Sequence, residues 1–388
     1  MSSLVTLALC AFFSTLLLSV LLAPVARKVG LIDEPSGRKQ HQCPIPLTGG
    51  IAVFCSLAFC AMIWNLSLSE IFFNDQREII STLVGCGGFL VLTGALDDRF
   101  HLGVLLRTVS EVLVAIAVIE LIGLRLDELG DLVGTGNIEM PRAVAYTFTV
   151  IAMFGLINAF NMLDGLDGLL ASMVIATVLG FHVFTATAPS LLALCIISAL
   201  SAFLVSNLDL SPVIPKSFLG DAGSKLLGFI VVILLLEAAS GKVFGSVELR
   251  PVTALYLVAI PLFDMVFTSL RRIVRRGSPF AADRSHIHHL LLDLGFSHRR
   301  AVVLILAINL ATTGLGLLLQ RLEAPDYYQM GIIVASFIFY CLFASQAWRV
   351  ADKLTAIQGS ELLAAQRNTT EPNSDPHEKS SVALMHRK

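Results

Sequence analysis

The chain has 388 residues, 55% of them hydrophobic and only 14% charged, with a mean hydropathy of +0.79. A soluble domain carries about 25% charged residues, so the composition excludes a water-covered globule and indicates an integral membrane protein. The 27 Lys and Arg nearly balance the 29 Asp and Glu, and no basic tract is interleaved with aromatics, which excludes a nucleic-acid partner.

Seven cysteines without a CxxC pair exclude a secreted disulfide scaffold. Cys10, Cys55, Cys60, Cys86, Cys195 and Cys341 lie in apolar runs and read as small buried side chains, while Cys43 stands alone in a polar loop.

A helix needs about 20 apolar residues to cross about 30 Å of hydrocarbon. In chain order such runs fall at about 4–26, 47–65, 79–96, 108–124, 143–163, 169–188, 190–207, 224–240, 252–270, 301–320 and 329–350. The expected fold is therefore an all-α polytopic membrane protein with about eleven transmembrane helices. The first run lacks a basic leader and is followed by Arg27-Lys28, so it reads as a span and not as a signal peptide. Thr187-Ala188-Pro189-Ser190 joins two spans as a tight hairpin. No fixed-period repeat is present.

Loops 27–46, 97–107, 208–225 and 271–300 hold 15 Lys and Arg, whereas loops of the other parity hold 6. By the positive-inside rule the N-terminus is expected outside and the C-terminus in the cytoplasm. The expected division is a transmembrane catalytic domain over 1–350 and a disordered cytoplasmic tail over 351–388, which is poor in large apolar residues.

Acidic residues at membrane level are costly, so each is a functional candidate. Asp97 and Asp98 end one span on the expected cytoplasmic side, where the negative end of the helix dipole repels them and a divalent cation would relieve them. A solvated helix terminus is the ordinary alternative. Asn158, Asn161, Asp164 and Asp167 recur every three residues and form one polar stripe for as long as the chain stays helical. Hydrogen bonding between helices would account for the asparagines, and a helix cap for Gly165 and Gly168.

Gly220-Asp221-Ala222-Gly223-Ser224-Lys225 opens a further span. Its glycines would let backbone N–H groups approach a phosphate while Asp221 ligates a metal; Asp221 or Ser224 as an N-cap is the alternative. The Walker spacing is absent. Asp264 follows Pro261, which is expected to kink its helix. The longest basic loop carries Arg271, Arg272, Arg275, Arg276, Asp283 and Arg284, then His286, His288 and His289. The arginines could simply anchor the protein at the membrane, and the histidines suit phosphate contacts or proton transfer.

These segments, Arg38-Lys39-Gln40-His41 with Pro46-Leu47-Thr48-Gly49-Gly50, Gly94-Ala95-Leu96-Asp97-Asp98-Arg99-Phe100, Asn158 to Leu169, Phe218 to Ser224 and Ser278 to His289, resemble the polyprenyl-phosphate N-acetylhexosamine-1-phosphate transferases, the glycosyltransferase 4 family. The resemblance covers about 27–300 and is strongest to the branch using undecaprenyl phosphate and UDP-GlcNAc. It implies transfer of GlcNAc-1-phosphate between those two partners with Mg²⁺ or Mn²⁺, at the cytoplasmic face of a bacterial inner membrane, as the first membrane step of O-antigen or another surface polysaccharide. A homodimer is a further expectation.

By the same resemblance, Asp221 is the foremost metal ligand, with Asp97 and Asp98 as metal-associated carboxylates or the base. Asn158, Asn161, Asp164 and Asp167 lie toward the nucleotide, and Phe218 would stack on uracil. Lys39, His41, Arg272, Arg284, His286, His288 and His289 would hold phosphates or serve catalysis. Another UDP-HexNAc or UDP-MurNAc-pentapeptide is the rival donor, and a lipid or ion transporter the rival class. A transporter would place its ionisable groups near the midplane.

Overall fold

The structure is a computed structural model, and it describes residues 2–35, 43–67, 74–187, 190–240, 249–276, 278 and 285–370. It is built from α1 (Ser2–Val29), a two-residue antiparallel pair β1 (Ile32–Asp33) and β2 (Ile45–Pro46), α2 (Gly49–Ser67), α3 (Asn74–Phe100), α4 (Val104–Ile122) and α5 (Arg142–Leu163). There follow α6 (Leu169–Phe184), α7 (Leu191–Asn207), α8 (Gly220–Ser240), α9 (Pro251–Leu257), α10 (Ala259–Val274), α11 (Ile287–Asp293), α12 (His298–Arg321) and α13 (Asp326–Thr370).

Each of the eleven apolar runs holds a helix. Among the described residues six are long and apolar enough to cross a membrane alone: α1, α3, α5, α8, α12 and α13. The pair α9 and α10 could supply a seventh, although it is bent by 84°. α2, α6 and α7 are apolar but shorter. α4 carries Arg107, Glu111 and Glu120 in its 19 residues. This is a multi-pass, all-helical membrane protein, with Phe13, Leu17 and Leu21 of α1 and Phe339, Leu342 and Phe343 of α13 among its outward-facing apolar side chains. In water such a belt would be untenable, whereas lipid solvates it.

α8 is the axis of the fold. In its apolar stretch 83% of residues are buried, against 11–33% in the other five long helices. It packs against α2, α3 and α5. Glycine makes two of these contacts possible: a Cβ on Gly50 would lie 2.2 Å from the Gly223 backbone, and one on Gly94 would lie 2.5 Å from that of Ala222. α2 and α3 thus meet the first turn of α8 backbone to backbone.

The kink expected from Pro261 is present as a full break of 84° at Val258, three residues ahead of it. Pro261 has no N–H for Leu257, so the helical ladder lapses there and α10 starts afresh. The unfolded tail expected from about 351 is helical as far as Thr370, because α13 continues beyond the apolar run. Cys60, Cys86 and Cys195 are buried as expected, but Cys55 faces outward, where lipid tolerates a small thiol.

Candidate active site

The polar motifs gather at one end of the bundle. There the C-terminus of α3 meets the N-terminus of α8, and the breaks after α5 and α10 close on each other. We term it the motif end.

Asp98 provides the first link. Its carboxylate accepts the backbone N–H of Asp221 at 3.0 Å and that of Ala222 at 3.4 Å. It therefore caps α8 from another helix, meeting donors that the first turn cannot satisfy itself. Gly220 makes room, with φ +66° and a position where a Cβ would lie 2.4 Å from the Asp98 carboxylate. The cap is thus neither Asp221 nor Ser224, and the Asp221 and Ala222 amides expected to cradle a phosphate are already engaged. The Gly223 amide bonds Leu219 O at 3.2 Å.

Asp221, in the first turn of the capped helix, lines the same cavity as Asp97. Asp97 is buried and pairs with Arg107 at 3.3 Å. Lys225, one turn along α8, places Nζ 3.7 Å from Asp97, 3.5 Å from Glu111 and 4.0 Å from Asp221. Asp97, Asp98 and Asp221 share the wall of a cavity of about 770 Å³ with Arg107, Asp33, Glu34 and His101. Lys225 and Glu111 are absent from the expected residues. A lysine inside the apolar run 224–240, one turn after Asp221, was the available signal, since a buried ammonium requires acidic neighbours.

The polar stripe divides, because α5 stops at Leu163. Asn158 donates to Glu111 at 2.6 Å, and Asn161 accepts from the Ser224 hydroxyl at 2.5 Å. Beyond the helix, Asp167 pairs with Lys216 at 2.6 Å. The Lys216 ammonium also lies 5.5 Å from the ring centre of Phe218, the residue expected to stack on uracil. Asp164, at the helix end, loses solvent and faces the charges of Asp98 and Asp167, which push its carboxyl up to about 7. Asn207 holds this break in place by accepting the Gly168 N–H at 2.6 Å and donating to Ser217 O at 3.1 Å.

The histidines form a second cluster around Asp264. One Asp264 oxygen accepts the Ile287 N–H at 2.8 Å and the Tyr340 hydroxyl at 2.9 Å; the other lies 2.9 Å from His286 Nδ1. A carboxylate can only accept, so Nδ1 carries the proton and Nε2 faces Arg272, 3.4 Å away. The His286 and His288 rings are parallel with centres 5.8 Å apart, and His289 lies against His288 at 4.2 Å. Gly165 joins the two clusters, since a Cβ there would come within 2.1 Å of His288 Nε2. Lys39, His41 and Arg284 lie outside the described residues.

Mg²⁺ fits the acidic cluster by donor chemistry. Carboxylate oxygens are hard ligands, and Mg²⁺ needs only one or two of them, completed by water and substrate phosphates. Asp97 and Asp221 line one cavity and share a single ammonium, so their like charges favour a further cation between them. Among the described residues no three His, Cys, Asp or Glu side chains already form a cage.

The family model for glycosyl transferase family 4 matches residues 79–239. The chain is 38% identical over 332 residues to the undecaprenyl-phosphate alpha-N-acetylglucosaminyl 1-phosphate transferase of Yersinia pestis, covering 84% of this chain and 87% of that one. The enzymes of that name from Escherichia coli (strain K12) and Haemophilus influenzae are 36% and 34% identical, over 88% and 87% of this chain and 90% and 93% of their own.

Proposed function

The chain belongs to glycosyl transferase family 4, and on that premise we propose that it transfers N-acetylglucosamine 1-phosphate from UDP-GlcNAc to undecaprenyl phosphate, giving undecaprenyl-diphosphate-GlcNAc and UMP. An oxygen of the lipid phosphate attacks the sugar-bearing phosphorus. The bond from that phosphorus to UMP breaks, and its electron pair leaves with UMP. The observation that carries this reading is the cavity wall on which Asp97, Asp98 and Asp221 meet Arg107.

Two phosphorylated reactants repel each other, so the site must supply positive charge and hold them in line. Asp221 and Asp97 would hold Mg²⁺ or Mn²⁺, which when bound neutralises charge on the phosphates. Asp98 keeps Asp221 aimed by capping α8. Asp97 therefore has the better claim to a proton or metal role, since Asp98 is engaged with two amides. The acceptor needs little help to ionise, because a phosphomonoester loses its second proton near pH 6. Asp264 sets the His286 tautomer, and Arg272, His288 and His289 would offer donors to phosphate oxygens. Asn158, Asn161, Asp164, Asp167 and Phe218 are the nucleotide-side residues of this reading.

The cell setting belongs to the same proposal: a bacterial inner membrane, eleven spans, N-terminus outside, motif end in the cytoplasm, and a product that begins O-antigen or another surface polysaccharide. The test is release of UMP by purified protein given undecaprenyl phosphate and a series of UDP-sugars, with and without EDTA. UMP from UDP-GlcNAc alone, lost on chelation, is the expected result. UMP from another UDP-HexNAc would reassign the donor, and none from any donor would overturn the reading.

A further inference from the structure

Lys225 and Glu111 are both 1% exposed, yet neither belongs to the roles assigned above. A buried ion pair is a poor source of stability, because desolvation consumes most of the attraction. Its geometry here is lopsided. Lys225 Nζ lies 3.5 Å from Glu111 and nearly as close to Asp97 and Asp221, at 3.7 and 4.0 Å. No hydrogen bond completes the ammonium. Glu111 is held from its far side by Asn158 at 2.6 Å.

Two cations, Lys225 and Arg107, make the ion pairs that reach Asp97, Glu111 and Asp221. Asp98, Asp33 and Glu34 line the same cavity as Asp97 and Asp221, so negative charge is in excess there. Deleting Lys225 and Glu111 together would leave the net formal charge of the site unchanged, whereas deleting either one alone would not.

We propose that Lys225 and Glu111 are a charge-neutral positioning pair that sets how strongly Asp97 and Asp221 attract a divalent cation. Lys225 competes with the ion for both carboxylates, and Glu111 draws Lys225 back from them. The inference rests on the reading of Asp97 and Asp221 as the cation-holding residues.

The experiment titrates Mn²⁺ into the full chain, purified in detergent without substrate at pH 8, and follows free ion by electron paramagnetic resonance. Glu111→Gln leaves Lys225 beside Asp97 and Asp221, so the variant keeps partners for its buried ammonium, and a single symmetric size-exclusion peak checks the fold. Its Kd for Mn²⁺ should rise about tenfold, as loss of one nearby unit charge in a partly buried site implies. Adding Lys225→Met to Glu111→Gln should bring Kd back to within about threefold of wild type. Restoration by a second change on another helix is not what general damage would produce. Unaltered affinity in Glu111→Gln, or a double variant as weak as the single, overturns the role of the pair while leaving the metal reading standing. A wild type that binds no Mn²⁺ overturns that reading and the inference with it.

Discussion

The two ends of the bundle treat charge in opposite ways. Away from the motif end, Asp326 at the start of α13 accepts from Arg250 at 3.1 Å and from the Asp131 N–H at 3.1 Å, and Arg250 also bonds Ala324 O at 3.0 Å. Asn137 donates to Glu128 at 2.8 Å in the same region, and Arg125 pairs with Asp127. These contacts tie the 124–141 segment, the approach to α9 and the α12–α13 turn into a lattice of matched partners. At the motif end, Asp97, Glu111 and Asp221 share the one Lys225 ammonium, and Arg107 adds a single ion pair, to Asp97. Matched charge holds structure, while surplus charge held in place by other bonds is available to a ligand.

The most severe way to break this contrast is Asp221→Asn. It retains the fold, because Asp98 caps α8 through the backbone, but removes a cation-holding carboxylate. UMP release should fall by about 10³-fold, the rate equivalent of losing several kcal/mol of charge stabilisation. Added Mg²⁺ should restore little of it. A near wild-type rate would reduce Asp221 to a structural residue.

Gly165→Ala comes next. The new methyl group would occupy the position of His288 Nε2, and that ring is buried against His286 and His289. Displacing it by about 1 Å should cost up to about 10²-fold in kcat/KM. Full activity would show that the two clusters do not act as one site.

A gentler probe uses Asp164. Its carboxyl is raised in the fold, so the neutral form is favoured and the contribution of this group to stability is present at low pH. That contribution is lost as pH rises from the unfolded value near 4 through about 7. In EDTA, wild-type thermal stability should therefore decline between pH 5 and 8 more than that of Asp164→Asn. Parallel profiles would mean that the site does not strain this group.

Asp326→Ala should have the smallest effect on turnover. It removes one partner from a half-exposed arginine and one from a backbone amide, worth about 1–2 kcal/mol of stability. UMP release in folded protein should stay within about twofold of wild type. A large loss of activity would join the two ends that charge pairing separates.

How much of this was legible beforehand differs by residue. The helices follow from apolar run length, and Asp97, Asp98, Asp164 and Asp221 stand out because a carboxylate at a helix end in lipid needs a reason. The partner of each is a tertiary matter. Nothing local says that Asp98 caps α8, that Gly50 and Gly94 exist for the backbone of that helix, or that Gly165 faces a histidine more than a hundred residues later. The three-residue spacing of Asn158 to Asp167 suggested one stripe, but that geometry ends where α5 ends. Glu111 was hidden within a span, and its meaning depends on Lys225, 114 positions away.

The glycine contacts along α8 have a consequence for motion. With Gly50 and Gly94 touching the α8 backbone, this helix can neither roll nor slide without opening its seams. The acidic wall is then an anvil, unable to close on an arriving reactant. Adjustment during turnover falls to the opposite jaw, the seven-residue α11 fastened through Asp264, and the amides of 221–223 should be among the last in the molecule to exchange with deuterated solvent.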